Sequence, residues 1–172
     1  MSSTPAASRE LRTETVIDAP ADRVWALLTD FSQMPDWSPE LVRMLPLKRG
    51  GLRVGQWYLG INRRGPVVWP SRNVVALVEP GRRVAWDTTS SGARWVWELE
   101  PGDAGGATTR IVHRRPVPRR ITRMSKVFAP VALGGSAGHA DELEAGMAQT
   151  VARLREAAER DDRRLGHAAD RG

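Results

Sequence analysis

The chain has 172 residues, 41% of them hydrophobic and 27% charged, a composition that fits one globular domain with a substantial buried core. With no cysteine, disulfides, thiolate metal sites and cysteine nucleophiles are excluded, and His113, His139 and His167 are too scattered to form a metal motif. The net charge of +6 permits an anionic partner without requiring one, and no apolar run approaches the ~20 residues of a membrane span.

The opening MSSTPAASRELRTE has no apolar signal region, so a cytoplasmic location is expected, with residues 1–10 disordered. Leu11–Asp18 alternates Leu11, Thr13, Thr15 and Ile17 against Arg12, Glu14, Val16 and Asp18, which predicts a first strand. A short helix follows in APADRVWALLTD: Pro20 suits its first turn, and Val24, Trp25, Leu27 and Leu28 form its apolar face. FSQMPDWSP, with Trp37 between two prolines, predicts a second short helical turn and a loop.

From Leu41 to Arg115 the pattern is an antiparallel meander. LVRMLPLKRGG ends in a Gly-Gly turn, and VGQWYLGINRRGP places Trp57, Leu59 and Ile61 on one face and Gln56 and Tyr58 on the other. In VVWPSRNVVALVEPG, Pro70 is expected to interrupt a long strand by a bulge or edge break. Glu79-Pro80-Gly81 turns into RRVAWDTTS, followed by ARWVWELE and TTRIVHRR. Beyond Pro116 the pattern weakens, with a short helix expected at Ile121–Phe128 and a small-residue linker at Gly134–Gly135. Asp141–Arg160 then carries one apolar stripe, Leu143, Met147, Val151, Leu154 and Ala158, and predicts a long helix that must lie on a broad apolar surface. Residues 161–172 read as a charged, flexible tail.

Three passages carry a resemblance. IDAPADRVWALLTDFSQMPDWSP, VEPGRRVAWDT and LEPGDAGGATTRIVHR, in this order, resemble the START/SRPBCC superfamily, and in particular its bacterial polyketide cyclase/dehydrase-like members. The likeness covers about residues 11–160 and implies one α+β helix-grip domain. Such a domain wraps a curved antiparallel sheet of six to seven strands around a long C-terminal helix, with two short helices after the first strand. The superfamily uses one cavity for very different ligands, so the resemblance specifies fold more closely than function.

The resemblance implies a hollow between the sheet's concave face and the helix. Strand parity nominates Trp57, Leu59 and Ile61, Val84, Trp86 and Thr88, Trp95, Trp97 and Leu99, and Thr109, Ile111 and His113 as its lining. The helix would add Leu143, Met147, Val151 and Leu154. Two readings stand: the tryptophans fill a core, or their indole N–H groups and rings line a pocket for a flat, hydrophobic, partly oxygenated ligand. His113 is the one inward titratable group in this assignment, either a structural residue or an acid/base for a cyclase or aromatase using the same cavity. Trp37 stands either at the cavity entrance or as a plug of the barrel end. The basic run RRPVPRRITRMSK, residues 114–126, is either a solvated face or a weak contact for an anionic membrane or a partner protein. Nucleic acid is not expected, no cofactor or metal is implied, and a monomer or homodimer is expected.

Overall fold

Consecutive extended runs separated by tight turns pair with their neighbours, and the computed structural model, which describes residues 10–116 and 139–169, closes them into one sheet. The strands are β1 (Leu11–Ile17), β2 (Leu41–Pro46), β3 (Trp57–Arg64), β4 (Val67–Glu79), β5 (Arg83–Thr88), β6 (Ala93–Pro101) and β7 (Thr109–Arg115). All pairings are antiparallel, in the order β1-β7-β6-β5-β4-β3-β2. Gly81, with φ 71°, takes the left-handed conformation that the β4–β5 turn needs and that side chains resist.

β1 and β2 follow one another in sequence but occupy opposite edges of the sheet. The chain between them must therefore cross the whole sheet, and it does so as two short helices, α1 (Ala21–Thr29) and α2 (Met34–Trp37). Val24, Leu27 and Leu28 from α1, with Phe31, Met34 and Trp37, bury themselves over one end of the concave face. The Thr109 hydroxyl donates to the Ala19 carbonyl at 2.8 Å and pins this crossing to the start of β7.

The long helix, α3 (His139–Ala169), lies along β1 and against both short helices. Met147, Val151, Leu154 and Ala158, one stripe of a 3.6-residue repeat, are almost wholly buried. The helix does not end at Arg160 as the sequence reading placed it: residues 161–169 of the expected flexible tail are helical. No Pro stops the chain there, and although the segment has no apolar stripe, Arg163, Arg164, Leu165, Ala168 and Ala169 are good helix formers, so the helix continues beyond its docked face. Among the described residues, no helix is long and apolar enough to cross a membrane.

Pro70 does not break β4. It sits in register opposite Ile61, in the part of β4 that has only β3 as a neighbour, because β5 pairs with β4 only from Asn73 onward. A missing N–H costs little where no second strand is waiting for it. The register shifts instead between Leu41 and Arg43 and between Val75 and Leu77. The expected disorder of residues 1–9, the helix at 121–128, the linker at 134–135 and most of the basic run lie outside the described residues.

The docking of α3 is open to measurement. Leu154→Ala, at a fully buried position, should lower unfolding free energy by ~2–5 kcal/mol, whereas Leu165→Ala, at an exposed one, should stay within ~0.5 kcal/mol. Urea titrations that returned the same small change for both would mean that the stripe does not hold the helix.

Candidate functional site

Register decides which side chains share the concave face. Residues paired across β7, β6 and β5 place His113 beside Trp97 and Val84, Ile111 beside Leu99, and Trp95 beside Trp86. These agree with the parity expected from the sequence. On β3 the parity is reversed. Tyr58 pairs with Asn73, which pairs with Thr88, so Tyr58, Gly60 and Asn62 face inward. Trp57, Leu59 and Ile61, expected to line the hollow, lie on the convex face with Val74, Arg72 and Pro70. Gln56 and Tyr58, expected outward, are buried. Alternation alone cannot say which of two faces is inner when the inner one is polar.

The inward residues divide into two regions. Trp86, Trp97, Ile111 and Val151 belong to a large sealed cluster with Val84, Leu99, Leu154 and the α1–α2 crossing. Trp37 is part of it, 1% exposed and edge-on to Trp97 at 5.8 Å, so it plugs the interior and does not stand at an entrance. The indole N–H groups of Trp37 and Trp97 are both buried without an acceptor. Met147 belongs to a smaller cluster with Leu11, toward the start of α3; Leu143 packs against it, and Trp95 packs against both clusters.

His113 sits between the two regions. Its ring stacks on Trp97 at 3.7 Å and, more loosely, on Trp95 at 5.6 Å. Nδ1 lies 3.2 Å from the Val96 carbonyl, which can only accept, so this nitrogen carries the proton. Burial pushes its pKa down to about 3, against which the Val96 hydrogen bond acts only weakly. At neutral pH the ring is uncharged and has no second proton to give as a general acid.

A row of polar side chains crosses the concave face beyond Trp95; the sequence reading selected Thr88 among them but not Asn62, Ser71 or Asn73. The Trp95 indole donates to the Thr88 hydroxyl at 3.1 Å, and that hydroxyl donates to Asn73 Oδ1 at 2.7 Å. Asn73 and Asn62 both donate to the Ser71 hydroxyl, at 3.3 and 3.0 Å. Gly60 makes room for the row, since a Cβ there would lie 2.6 Å from Ser71 Oγ. Although they face inward, Trp95, Thr88, Ser71 and Asn62 remain partly accessible, as does Arg115 at the end of β7. The signal in the sequence was Ser71 and Asn73, two uncharged polar residues on one face of a largely apolar strand, with Asn62 on the adjacent strand.

At the β2–β3 side a cleft of about 560 Å³ opens between the α1–α2 turn and the β2–β3 loop. Phe31, Met44, Leu52 and Tyr58 form its floor, and Lys48 and Arg49 stand on its lining. Phe31 packs on both Tyr58 and Trp86, at 4.8 and 5.3 Å, and separates this cleft from the tryptophans. The two described arginines that begin the basic run are not a free cationic face. Arg114 pairs with Glu10 at 3.1 Å and Glu98 at 3.7 Å, and Arg115 turns inward over Trp95.

The neutral state of His113 has a measurable consequence. Its folded pKa, about 3, is far below the 6.5 of the unfolded chain, so the unfolded state takes up the proton first as pH falls. Stability from this group is fully present above pH 6.5 and declines below it by about 1.4 kcal/mol per pH unit toward pH 3. Glu14 and Glu79, held low first by hydrogen bonds from Arg110 and Arg83, lose their contribution only below the ordinary carboxylate value of 4.5. Urea midpoints between pH 6.5 and 4.5 should therefore slope more steeply for the wild type than for His113→Gln. Parallel slopes would remove the buried neutral imidazole.

No curated protein matches the chain. Several solved structures are similar in fold. Protein NE0264 from Nitrosomonas europaea superposes with a TM-score of 0.64 at 17% identity, over 90% of this chain and 97% of that one. The Zhui aromatase/cyclase from Streptomyces sp. R1128 gives 0.61 at 21% identity, over 88% and 94%. The Polyketide_cyc-like protein Cgl2372 from Corynebacterium glutamicum gives 0.56 at 23%, over 88% and 93%. At these identities the likeness establishes the helix-grip fold. The model of the family described as polyketide cyclase / dehydrase and lipid transport matches residues 8–159, and the chain belongs to that family.

Proposed function

We propose that this protein binds a flat, hydrophobic, partly oxygenated small molecule, aromatic or polyketide-like, against the accessible half of its concave face. One observation carries the reading: the row from Asn62 through Ser71, Asn73 and Thr88 to Trp95 faces inward and is internally hydrogen-bonded, and all of its members except the buried Asn73 are still partly accessible. A sealed core would fill these positions with apolar side chains, because each buried polar group must find a partner. Spare acceptor capacity on the hydroxyls and amides, next to an indole face, suits the hydroxyl donors of an aromatic frame. Family membership favours the same ligand class.

Binding without turnover is the better-supported form. A cyclase or aromatase would need a group that moves a proton near neutral pH, and His113 is held neutral with Nδ1 committed to a backbone carbonyl. The aromatase/cyclase among the similar structures keeps the enzymatic reading as the alternative, with cavity shape guiding ring closure.

Native mass spectrometry of protein purified from its own host, with tryptophan fluorescence against a panel of flat aromatic ketones and phenols, tests the reading. A co-purifying small molecule or saturable quenching is expected. Trp95→Ala should weaken binding about tenfold, ~1.4 kcal/mol, and Trp57→Ala on the convex face should leave it unchanged. Absence of any bound mass and of quenching would overturn the proposal. Equal losses in both variants would overturn the placement of the site.

A further inference from the structure

Two described arginines share the inward parity of the concave face, Arg64 on β3 and Arg115 on β7. They differ in what answers their charge. Arg64 is bound to Glu40 and faces Glu142 of α3 at 3.9 Å. Arg115 has no carboxylate within ion-pair distance among the described residues, and its Nε is buried without an acceptor. Loss of water around the group pulls its pKa down, with no opposing effect from an acidic neighbour. An unpaired guanidinium taken out of water is costly, and the cost is removed by an anion that enters with its own hydrogen-bond acceptors.

The surroundings specify the shape of that anion. The guanidinium carbon lies 5.6 Å from the centroid of the Trp95 ring, so one face of the cation is occupied by the indole. What remains is the in-plane edge of N–H donors, whose spacing matches the two oxygens of a carboxylate. Leu11, opposite Arg115 on β1, and Leu143 and Met147 on α3 supply apolar surface on the same side. From Trp95 the polar row leads away across the sheet through Thr88.

We infer that the ligand of this site is a carboxylate, an aromatic or polyketide-like acid whose carboxyl group is held edge-on by Arg115 above Trp95 while its body lies toward the Thr88–Asn73–Ser71 row. The inference rests on the ligand-binding reading above and adds the charge of the ligand and the residue that selects it. The rival cationic position is the cleft bearing Lys48 and Arg49, on the far side of Phe31.

A matched pair of probes separates the possibilities: 2-naphthoate and the uncharged 2-naphthamide, titrated calorimetrically into the full-length protein at neutral pH. The wild type should bind the carboxylate about tenfold more tightly than the amide. Arg115→Gln should reduce that ratio to about one with the amide affinity within twofold, whereas Arg115→Lys should keep a preference of the same sign and Arg49→Gln the full ratio. Each ratio is taken on one protein preparation, so a partly unfolded variant does not distort it. Equal affinities in the wild type, or a preference that survives Arg115→Gln or disappears in Arg49→Gln, would overturn the assignment to Arg115 and leave the ligand-binding reading standing. Failure of both probes to bind the wild type would overturn the two together.

Discussion

The interior is organised around one column of rings. Trp37 from α2 meets Trp97 edge-on, Trp97 stacks on His113, His113 faces Trp95, and the Arg115 guanidinium covers Trp95. Three of these groups are adjacent only because β6 and β7 pair with Trp97 opposite His113; a slip of one residue would send alternate rings to the convex face. The column also requires an uncharged imidazole, since it is taken entirely out of water and its one described partner is a backbone carbonyl. Burial and register therefore act together, and the low pKa of His113 is a consequence of the packing.

The column marks a change in what the concave face is made of. On one side, the crossing from β1 to β2 delivers α1 and α2 onto Val84, Leu99 and Ile111, and the stripe of α3 seals that end. On the other side the sheet offers hydroxyls and amides bonded to one another, with an arginine at the margin. A polar row inside a sheet weakens the local core unless every member is satisfied, and here the members satisfy each other across four strands, β3 to β6. That arrangement fits a domain that gives up some apolar packing at one end to recognise an oxygenated guest. The proposed carboxylate selection by Arg115 is the electrostatic part of the same arrangement.

The convex face is divided in a similar way. Over β1, β7, β6 and β5 it carries ion pairs, with Arg110 between Glu14 and Glu100, Arg94 on Asp87, and Glu98 between Arg83 and Arg114. Such exposed pairs contribute little stability individually but keep that half of the sheet solvated. Over β3 and β4 the same face carries Trp57, Leu59, Ile61 and Val74. The hydrophobic alternation of β3 thus follows the outside of the sheet, and this is why it misleads as a guide to the inside.

The sequence by itself determined the class and order of the elements. Period-2 alternation, turn residues between runs and the single stripe of α3 are local properties, and they were enough for six to seven antiparallel strands, two short helices and one long one. They also placed Trp86, Trp95, Trp97, Ile111 and His113 on one face, because those strands alternate strongly between apolar and charged positions. Only the tertiary structure decided the face of β3, the continuity of β4 through Pro70, the burial of Trp37 and the division of the interior into sealed and accessible halves. Each of these depends on register and on which strand has a second neighbour, which are set by contacts between residues distant in the chain. Asn62, Ser71, Asn73 and Arg115 are unremarkable singly in the sequence; they join Thr88 and Trp95 on one surface because five strands, β3 to β7, lie side by side.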